Sequence, residues 1–288
     1  MNDTPQKIFD RALYVARLAR ACGRGADALM NGIAAELSDR LSLIARRFGR
    51  ALVISPDPEA VAGVLRGSGK VQTLEARRPL VEDDLQLEPH SFDAVFNILD
   101  LHAVNDVPGQ LTQMARALRP DGLFLACLFA GGTLTELRQS FLAAEVAVTG
   151  GASPRVAPMI GVRELGGLLQ RAGFALPVAD RDRTILRYAD ALSLIHEISR
   201  LGMSNNLVGR SRKPVSRRLL GAAAAHYHDN FADSDGRIRA TLEVAWATGW
   251  SPHESQPRPL KPGSARMRLA DALNVPETKL KADRSDGE

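Results

Sequence analysis

The stretch from residue 92 to residue 146 alternates two continuous apolar runs with two helical patterns, and it constrains the fold more than any other feature. Phe92–Leu99 carries a single charge, Asp93, and Leu123–Phe129 carries none. Runs this apolar are typical of parallel strands that are buried on both faces. Each run is followed by a helical pattern, over Val107–Leu118 and over Thr133–Val146. The alternation predicts an α/β fold with a parallel sheet and right-handed crossovers.

The flanking sequence adds further elements. Apolar residues at helical spacing predict helix over residues 6–47, with a break at Gly23 and Gly25. Short strands are expected at Ala51–Ile54 and Lys70–Leu74, and a turn at 119–122. A strand at 176–188, helices at 190–202 and 215–231, and a last strand at Arg239–Trp250 follow. The expected organisation is a helical region 1–48, a core 49–189, an inserted helical lobe 190–232, a last strand with a closing motif 233–273, and a disordered tail 274–288.

Composition excludes several classes of protein. The net charge of +4 over 288 residues is too small to indicate nucleic-acid binding, and 5% aromatic residues argue against a stacking platform for single strands. Two separated cysteines, Cys22 and Cys127, suit a reducing compartment. His226 and His228 do not share a helix face, so no metal site is expected. The N-terminus has no apolar secretory core and no run could span a bilayer, so we expect a cytoplasmic protein.

A basic stretch between the last two predicted helices is the main candidate for a contact surface. It holds five cations in nine residues: Arg210, Arg212, Lys213, Arg217 and Arg218. Two interpretations remain open, a merely solvated face and a surface that docks on an acidic protein client or on an anionic membrane. The second interpretation would place the protein at the periphery of the inner membrane.

Several short motifs, in this order and at this spacing, resemble those of the methyltransferase-like assembly factors of respiratory complex I. The resemblance covers residues 8 to 273. The motifs are Ile8-Phe9-Asp10-Arg11, Leu101-His102-Ala103-Val104-Asn105-Asp106, Arg119-Pro120-Asp121-Gly122, Gly131-Gly132-Thr133-Leu134 with Glu136-Leu137-Arg138, and Gly249-Trp250 with His253-Glu254-Ser255-Gln256, Arg258-Pro259 and Gly263-Ser264-Ala265.

The resemblance implies a class I S-adenosylmethionine methyltransferase fold, similar also to the malonyl-carrier methyltransferase of biotin synthesis. It implies a Rossmann-like sheet whose last strand is antiparallel, with a helical lobe inserted before that strand. Some members of the family hydroxylate an arginine of a complex I subunit, so the fold alone does not determine the reaction. A respiratory-chain subunit is the protein client that the resemblance suggests.

The loop after the first strand departs from the family pattern. The family has an acidic residue and three glycines there, whereas this chain has Leu52-Val53-Ile54-Ser55-Pro56-Asp57-Pro58-Glu59. Ser55 and Asp57 therefore stand where the resemblance implies cofactor-binding glycines. Two prolines fix φ and remove two amide donors. We expect S-adenosylmethionine to bind weakly or not at all.

Other candidate cofactor residues give mixed signals. Glu75 stands where the resemblance implies an acid that binds the ribose, and Asp83 could face the adenine amine; an exposed glutamate and a solvated loop are the alternatives. Leu99 and Asp100 end the well-matched central strand. Only residues 76–91 separate Glu75 from Phe92, which is short for a helix and a further strand, so the sheet is expected to have six strands or a vestigial seventh.

His102 is the candidate catalytic residue, because it follows the central strand at the edge where ligands bind in open α/β sheets. A purely structural histidine is the equal alternative, and Ala103 replaces a family tryptophan beside it. Two functions remain open at this point. One is a methyltransferase-like protein with a degenerate cofactor site that acts as an assembly or scaffold factor. The other is an active methyltransferase, or an arginine-modifying enzyme, acting on a protein or lipid-like acceptor.

Overall fold

The computed structural model describes residues 7–21, 27–257 and 267–276. The chain divides into two compact units, Met1–His253 and Glu254–Glu288. The predicted break at Gly23 and Gly25, the end of the closing motif at 258–266 and most of the tail expected to be disordered lie outside the described residues. The described part of the second unit contains one short helix, Leu269–Leu273.

Six strands and nine helices are described in chain order. The strands are β1 Phe48–Ile54, β2 Val71–Arg77, β3 Phe92–Ile98, β4 Leu118–Phe129, β5 Ala175–Tyr188 and β6 Ile238–Trp250. The helices are α1 Arg11–Ala21, α2 Asp27–Ser42, α3 Pro58–Gly67, α4 Val107–Ala117, α5 Thr135–Thr149, α6 Val162–Arg171, α7 Ala191–Arg200, α8 Arg217–Phe231 and α9 Leu269–Leu273. None of the helices in the described ranges is long and apolar enough to cross a bilayer.

The strands form one sheet with the order β2-β1-β3-β4-β6-β5. The first four strands are parallel, and β6 pairs antiparallel with both β4 and β5. The predicted Rossmann-like α/β fold with an antiparallel last strand is therefore confirmed. Residues 78–91, all described, contain no strand, so the expectation of six strands is also confirmed.

Several predicted strand boundaries, including the start of β1 at Phe48 rather than Ala51, were wrong because strand pairing extends the strands. The expected turn at 119–122 lies inside β4, where a register shift between Phe92 and Ala94 accommodates it. Its backbone groups pair with the residue after β6: Asp121 N donates to Ser251 O at 3.1 Å, and Ser251 N donates to Gly122 O at 2.8 Å. Likewise β2 does not end at Leu74 but continues to Arg77, because its pairing with β1 runs on to Ile54.

Both faces of the sheet are covered. On one face, Leu52, Val95 and Phe124 pack against α4 and α6. On the other face, Val53, Phe96 and Trp246 pack against α2 and α3. Helices α5, α7 and α8 form a third cluster around Tyr227 and the start of β6. Burial on both faces is what the continuous apolar runs predicted.

A pair of glycine substitutions tests the local backbone. A Cβ would meet nothing within 4 Å at either Gly63, inside α3, or Gly150, which ends α5 with φ +71. Gly63→Ala should raise the free energy of unfolding by about 0.5–1 kcal/mol, because alanine has less backbone entropy to lose. Gly150→Ala should lower it by about 1 kcal/mol, because an L side chain disfavours positive φ. Urea unfolding measures both, and a change of the same sign in both variants would contradict this account.

Candidate functional site

The polar groups of the loop after β1 are hydrogen-bonded within the protein. Ser55 is fully buried, and its amide donates to Arg77 O at 3.1 Å. The amide of Asp57 donates to Ser55 Oγ at 3.3 Å. The Asp57 carboxylate accepts from Ala60 N at 3.2 Å and caps α3. Since Pro56 and Pro58 have no amide hydrogen, both amides present between residues 55 and 58 are already engaged.

Glu75 lies within β2 rather than at its end, opposite Leu52 of β1. Its carboxylate accepts from Arg50 Nη2 at 3.0 Å and from Arg77 Nε at 2.6 Å. Although burial opposes the shift, hydrogen bonds from Arg77 and Arg50 hold the pKa of Glu75 below its ordinary value. The expected position at the strand end is wrong, because β2 extends two residues beyond it.

Asp83 lies in the segment between β2 and β3, which packs on α4 through Gln113. Gln113 Nε2 donates to Asp83 O at 3.0 Å, and Leu85 N donates to Gln113 Oε1 at 2.7 Å. Asp83 Oδ1 is buried with no hydrogen-bond partner among the described residues. The segment therefore contacts α4 through Gln113, and its Leu85 belongs to the same buried cluster as Ile54 at the end of β1.

Arg11 of α1 occupies the carboxyl end of the sheet. Its Nη1 donates to Asp100 Oδ1 at 2.7 Å and to Ala103 O at 3.3 Å, and its Nη2 donates to Leu80 O at 2.7 Å. Arg11 is 4% exposed, and the side chain of Asp100 is 1% exposed. Burial raises the pKa of Asp100, against the opposing charge of Arg11. Because β1 lies between β2 and β3, the guanidinium joins the segments that follow the two flanking strands.

The first two family motifs in chain order, residues 8–11 and residues 101–106, meet at this edge. Tyr14 donates from its hydroxyl to Leu99 O at 3.0 Å. Asn105 Oδ1 accepts from Ile8 N at 2.9 Å and from Phe9 N at 2.8 Å. The role of Arg11 was not predicted from the sequence. The signal available was that both of these motifs carry polar residues that match the family.

His102 lies in a short 3-10 turn, Leu101–Ala103, after β3. Its ring lies 4.8 Å from that of Phe129 and 6.2 Å edge-on to that of Tyr14, measured between centroids. Burial, together with the charge of Arg11, lowers the pKa of His102 to about 3. Its Nδ1 is buried without a hydrogen-bond partner among the described residues. A neutral imidazole of this kind can make a hydrogen bond but is a poor proton donor at neutral pH.

An apolar cavity of about 140 Å³ lies beside His102. Its walls come from α1, α7, the loop before α6, and the parts of β4, β5 and β6 that lie at this edge. Tyr188 and Glu197 give it a polar corner. Burial, followed by the charge of Glu197 and a hydrogen bond to it, raises the pKa of Tyr188 to about 12.

The structure brings few of the candidate residues together. Of Ser55, Asp57, Glu75, Asp83, Leu99, Asp100 and His102, all within the described residues, only His102 lines the apolar cavity. Within the described parts of the chain, no three His, Cys, Asp or Glu side chains are grouped so that they could hold a metal ion. The lining of the cavity is mostly apolar.

Known proteins are similar to this chain over most of its length. A family model described as a methyltransferase domain matches residues 37–126. Over 286 residues the chain is 32% identical to the mitochondrial arginine-hydroxylase NDUFAF5 of Danio rerio, covering 98% of this chain and 84% of that protein. The chain belongs to the NDUFAF5 family. The predicted resemblance is thereby confirmed.

Members of the NDUFAF5 family are not the only relatives. The chain is 33% identical over 199 residues to the malonyl-[acyl-carrier protein] O-methyltransferase of Laribacter hongkongensis, covering 68% of this chain and 64% of that protein. Among solved structures, the protein BH2331 of Bacillus halodurans C-125 is 12% identical with a TM-score of 0.49, covering 80% of this chain and 100% of its own.

Proposed function

We propose that this NDUFAF5-family chain is a methyltransferase-like protein without a usable S-adenosylmethionine site, and that it serves as an assembly or scaffold factor for a respiratory complex. The observation that carries the proposal is the buried Arg11–Asp100 pair. In an open α/β sheet the cofactor binds where the strand order reverses, at the carboxyl ends of the strands. Here that position is the boundary of β1 and β3, and Arg11 ties the segment after β3 to the segment after β2.

The loop after β1 supports the same proposal. A cofactor carboxylate needs free backbone donors and close approach to the chain, which glycines permit. The amides of Ser55 and Asp57 are engaged within the protein, and the Asp57 carboxylate caps α3. Glu75, the candidate for the ribose, is held by two arginines. The residues present therefore do not fit the cofactor.

A protein client is the partner that the family membership favours. Part of the basic stretch is available to contact such a client. Arg210 is not, because it pairs with Asp10 at 3.2 Å and donates to Leu207 O at 2.7 Å. Arg212, Lys213, Arg217 and Arg218 are exposed. These four cations are the part of the stretch on which an acidic client surface would dock. A cytoplasmic location, with contact to the inner membrane, stays a prediction.

Calorimetry with S-adenosylmethionine tests the loss of the cofactor site. Micromolar affinity corresponds to about −8 kcal/mol, and each lost hydrogen bond costs about 1–3 kcal/mol. Losing several of them should move the dissociation constant to roughly the millimolar range. A malonyl-carrier methyltransferase, titrated in parallel, is the positive control. A low-micromolar dissociation constant, or cofactor retained through purification, would overturn the proposal.

A second candidate function is an arginine-modifying enzyme, as the name of the Danio rerio relative suggests. The observation that favours it is the carboxylate of Glu197, which lines the mostly apolar cavity together with Tyr188. A carboxylate in such surroundings suits a guanidinium, which it can bind through two hydrogen bonds. Mass spectrometry of a respiratory-chain subunit after incubation with the wild type and with Glu197→Gln tests this. A hydroxylated or methylated arginine formed only by the wild type would favour the enzyme.

A further inference from the structure

A basic groove lies between the start of α1 and the segment 204–215, separate from the candidate cofactor residues. Its volume is about 670 Å³, and it is open to solvent. The described lining includes one acidic residue, Asp10, and five cations, namely Arg17, Arg155, Arg210, Arg212 and Lys213. Three of these cations belong to the basic stretch predicted from the sequence, whereas Arg17 and Arg155 join them only in the fold.

The charge in this groove is not balanced. Asp10 pairs with Arg210 at 3.2 Å, and Glu145 pairs with Arg155 at 2.5 Å. Arg212 and Lys213 are exposed and have no acidic partner within the described part of the chain.

Arg17 adds to this excess of positive charge. Its Nη1 donates only to backbone oxygens, Ser204 O at 2.9 Å and Asn205 O at 2.5 Å. Burial, then the neighbouring charge of Arg210, lowers the pKa of Arg17. Burial is the larger cause, and the charge of Arg210 adds a repulsion that a bound anion would relieve.

The groove adjoins the apolar cavity, because Arg155 and Asn205 line both. Two other residues that line the cavity, His102 and Asn206, carry buried polar atoms that lack a partner among the described residues, His102 Nδ1 and Asn206 Nδ2. Buried polar groups are normally hydrogen-bonded, so such exceptions point to a missing ligand or water. An apolar chain inside the cavity that carries a carbonyl or ether oxygen could supply an acceptor for Asn206 Nδ2.

We propose that the cavity and the groove together form one site for an amphipathic anion, a single molecule with an acyl or prenyl chain and a phosphate or carboxylate head. The end of the chain, about six carbons long, lies in the cavity beside His102. The head lies in the groove among Arg17, Arg212 and Lys213. The site takes a monomer rather than a membrane surface, because both parts of it are concave. The site does not include the candidate cofactor residues, so the result of the S-adenosylmethionine titration does not decide whether this proposal is correct.

Displacement of cis-parinaric acid, a fatty acid whose fluorescence rises in apolar surroundings, tests the proposal with the full chain. The competitors are dodecyl phosphate below its critical micelle concentration, dodecanol below its solubility limit, and inorganic phosphate. We expect dodecyl phosphate to displace the probe, dodecanol to compete at least about tenfold more weakly, and inorganic phosphate to have no effect. Equal competition by dodecanol and dodecyl phosphate, or no binding of the probe, would overturn the proposal.

Two variants with the same change in charge locate the head. Arg212→Gln with Lys213→Gln removes two cations from the groove, and Arg217→Gln with Arg218→Gln removes two exposed cations outside its lining. The first pair of substitutions should weaken the binding of dodecyl phosphate about fivefold, and the second pair should leave that binding unchanged. All four sites are on the surface, so both proteins should fold. Equal effects of the two pairs would contradict the assignment of the groove.

A third variant tests whether the apolar chain lies in the cavity. A vesicle experiment distinguishes binding of a single amphiphile from docking on a membrane. Ala157→Phe places a ring in the wall of the cavity and should abolish displacement by every amphiphile, with thermal unfolding as the check on folding. Co-sedimentation with phosphatidylglycerol vesicles is compared with monomer binding. Sedimentation with vesicles without displacement of the probe would mean that the face docks on a membrane, and the proposal would fail.

Discussion

Replacing Arg11 by methionine is expected to lower the free energy of unfolding by about 3–5 kcal/mol. The substitution leaves the Asp100 carboxyl in place with 1% of its side chain exposed and without its cation. That carboxyl would either stay charged in a medium that solvates it poorly or take up a proton at neutral pH, and both cost free energy. Leu80 O and Ala103 O would lose their donor as well. Urea unfolding of the purified variant measures the loss.

Two controls separate the buried pair from a general effect of removing an arginine. Arg66→Met removes an exposed helical pair with Glu59, at 3.5 Å, and should cost less than about 1 kcal/mol. Arg11→Met combined with Asp100→Leu removes both charges and should recover most of the stability, because a buried pair is often no better than an apolar one. A double variant as unstable as Arg11→Met alone would show that packing of α1, rather than the charge, is responsible.

Acidification from pH 7 to pH 5 is expected to reduce the free energy of unfolding by about 2 kcal/mol through His102 alone. In the folded protein the pKa of His102 is about 3, whereas its ordinary value is 6.5. The unfolded chain therefore takes up a proton as the pH falls below about 6.5, and the folded protein does not. Each pH unit in this window favours unfolding by about 1.4 kcal/mol. The stabilising contribution is present above pH 6.5 and is lost on the acid side.

The comparison that isolates this effect is the difference between wild type and His102→Phe, measured at both values of pH. A phenyl ring keeps the contacts with Phe129 and Tyr14 but cannot titrate, so the difference should change by about 2 kcal/mol between pH 7 and pH 5. His228→Gln removes an exposed histidine and should leave the acid dependence of the wild type nearly intact. A His102→Phe protein with the same acid dependence as the wild type would show that His102 is not shielded from solvent.

Much of the fold could be predicted, because its signals are local. The continuous apolar run at Phe92–Leu99 predicts a strand buried on both faces, and β3 is such a strand. The short connection 76–91 predicted a missing strand by chain length alone, and the sheet has six strands. The loop Ser55–Pro58 could be recognised as atypical because prolines remove donors whatever the tertiary context.

The candidate site could be predicted only in part, because its contacts join distant segments. Glu75 was placed at a strand end since its own sequence breaks the apolar pattern there, yet pairing with β1 carries the strand to Arg77. His102 was found because it follows a recognisable strand. Its Arg11 neighbour was missed, because α1 docks on the far end of the sheet and no local pattern encodes that contact.

The sequence by itself determined the α/β class through its hydrophobic periodicity and the family through the order of its short motifs. The antiparallel last strand was predicted only because the resemblance to that family implies it. Only the tertiary structure decided what occupies the carboxyl edge of the sheet. There the Arg11–Asp100 pair spans 89 residues of chain, and the cavity and the basic groove draw their walls from segments still further apart. The free energy of such contacts depends on burial and on the geometry of charged atoms, and both exist only after the segments have packed together.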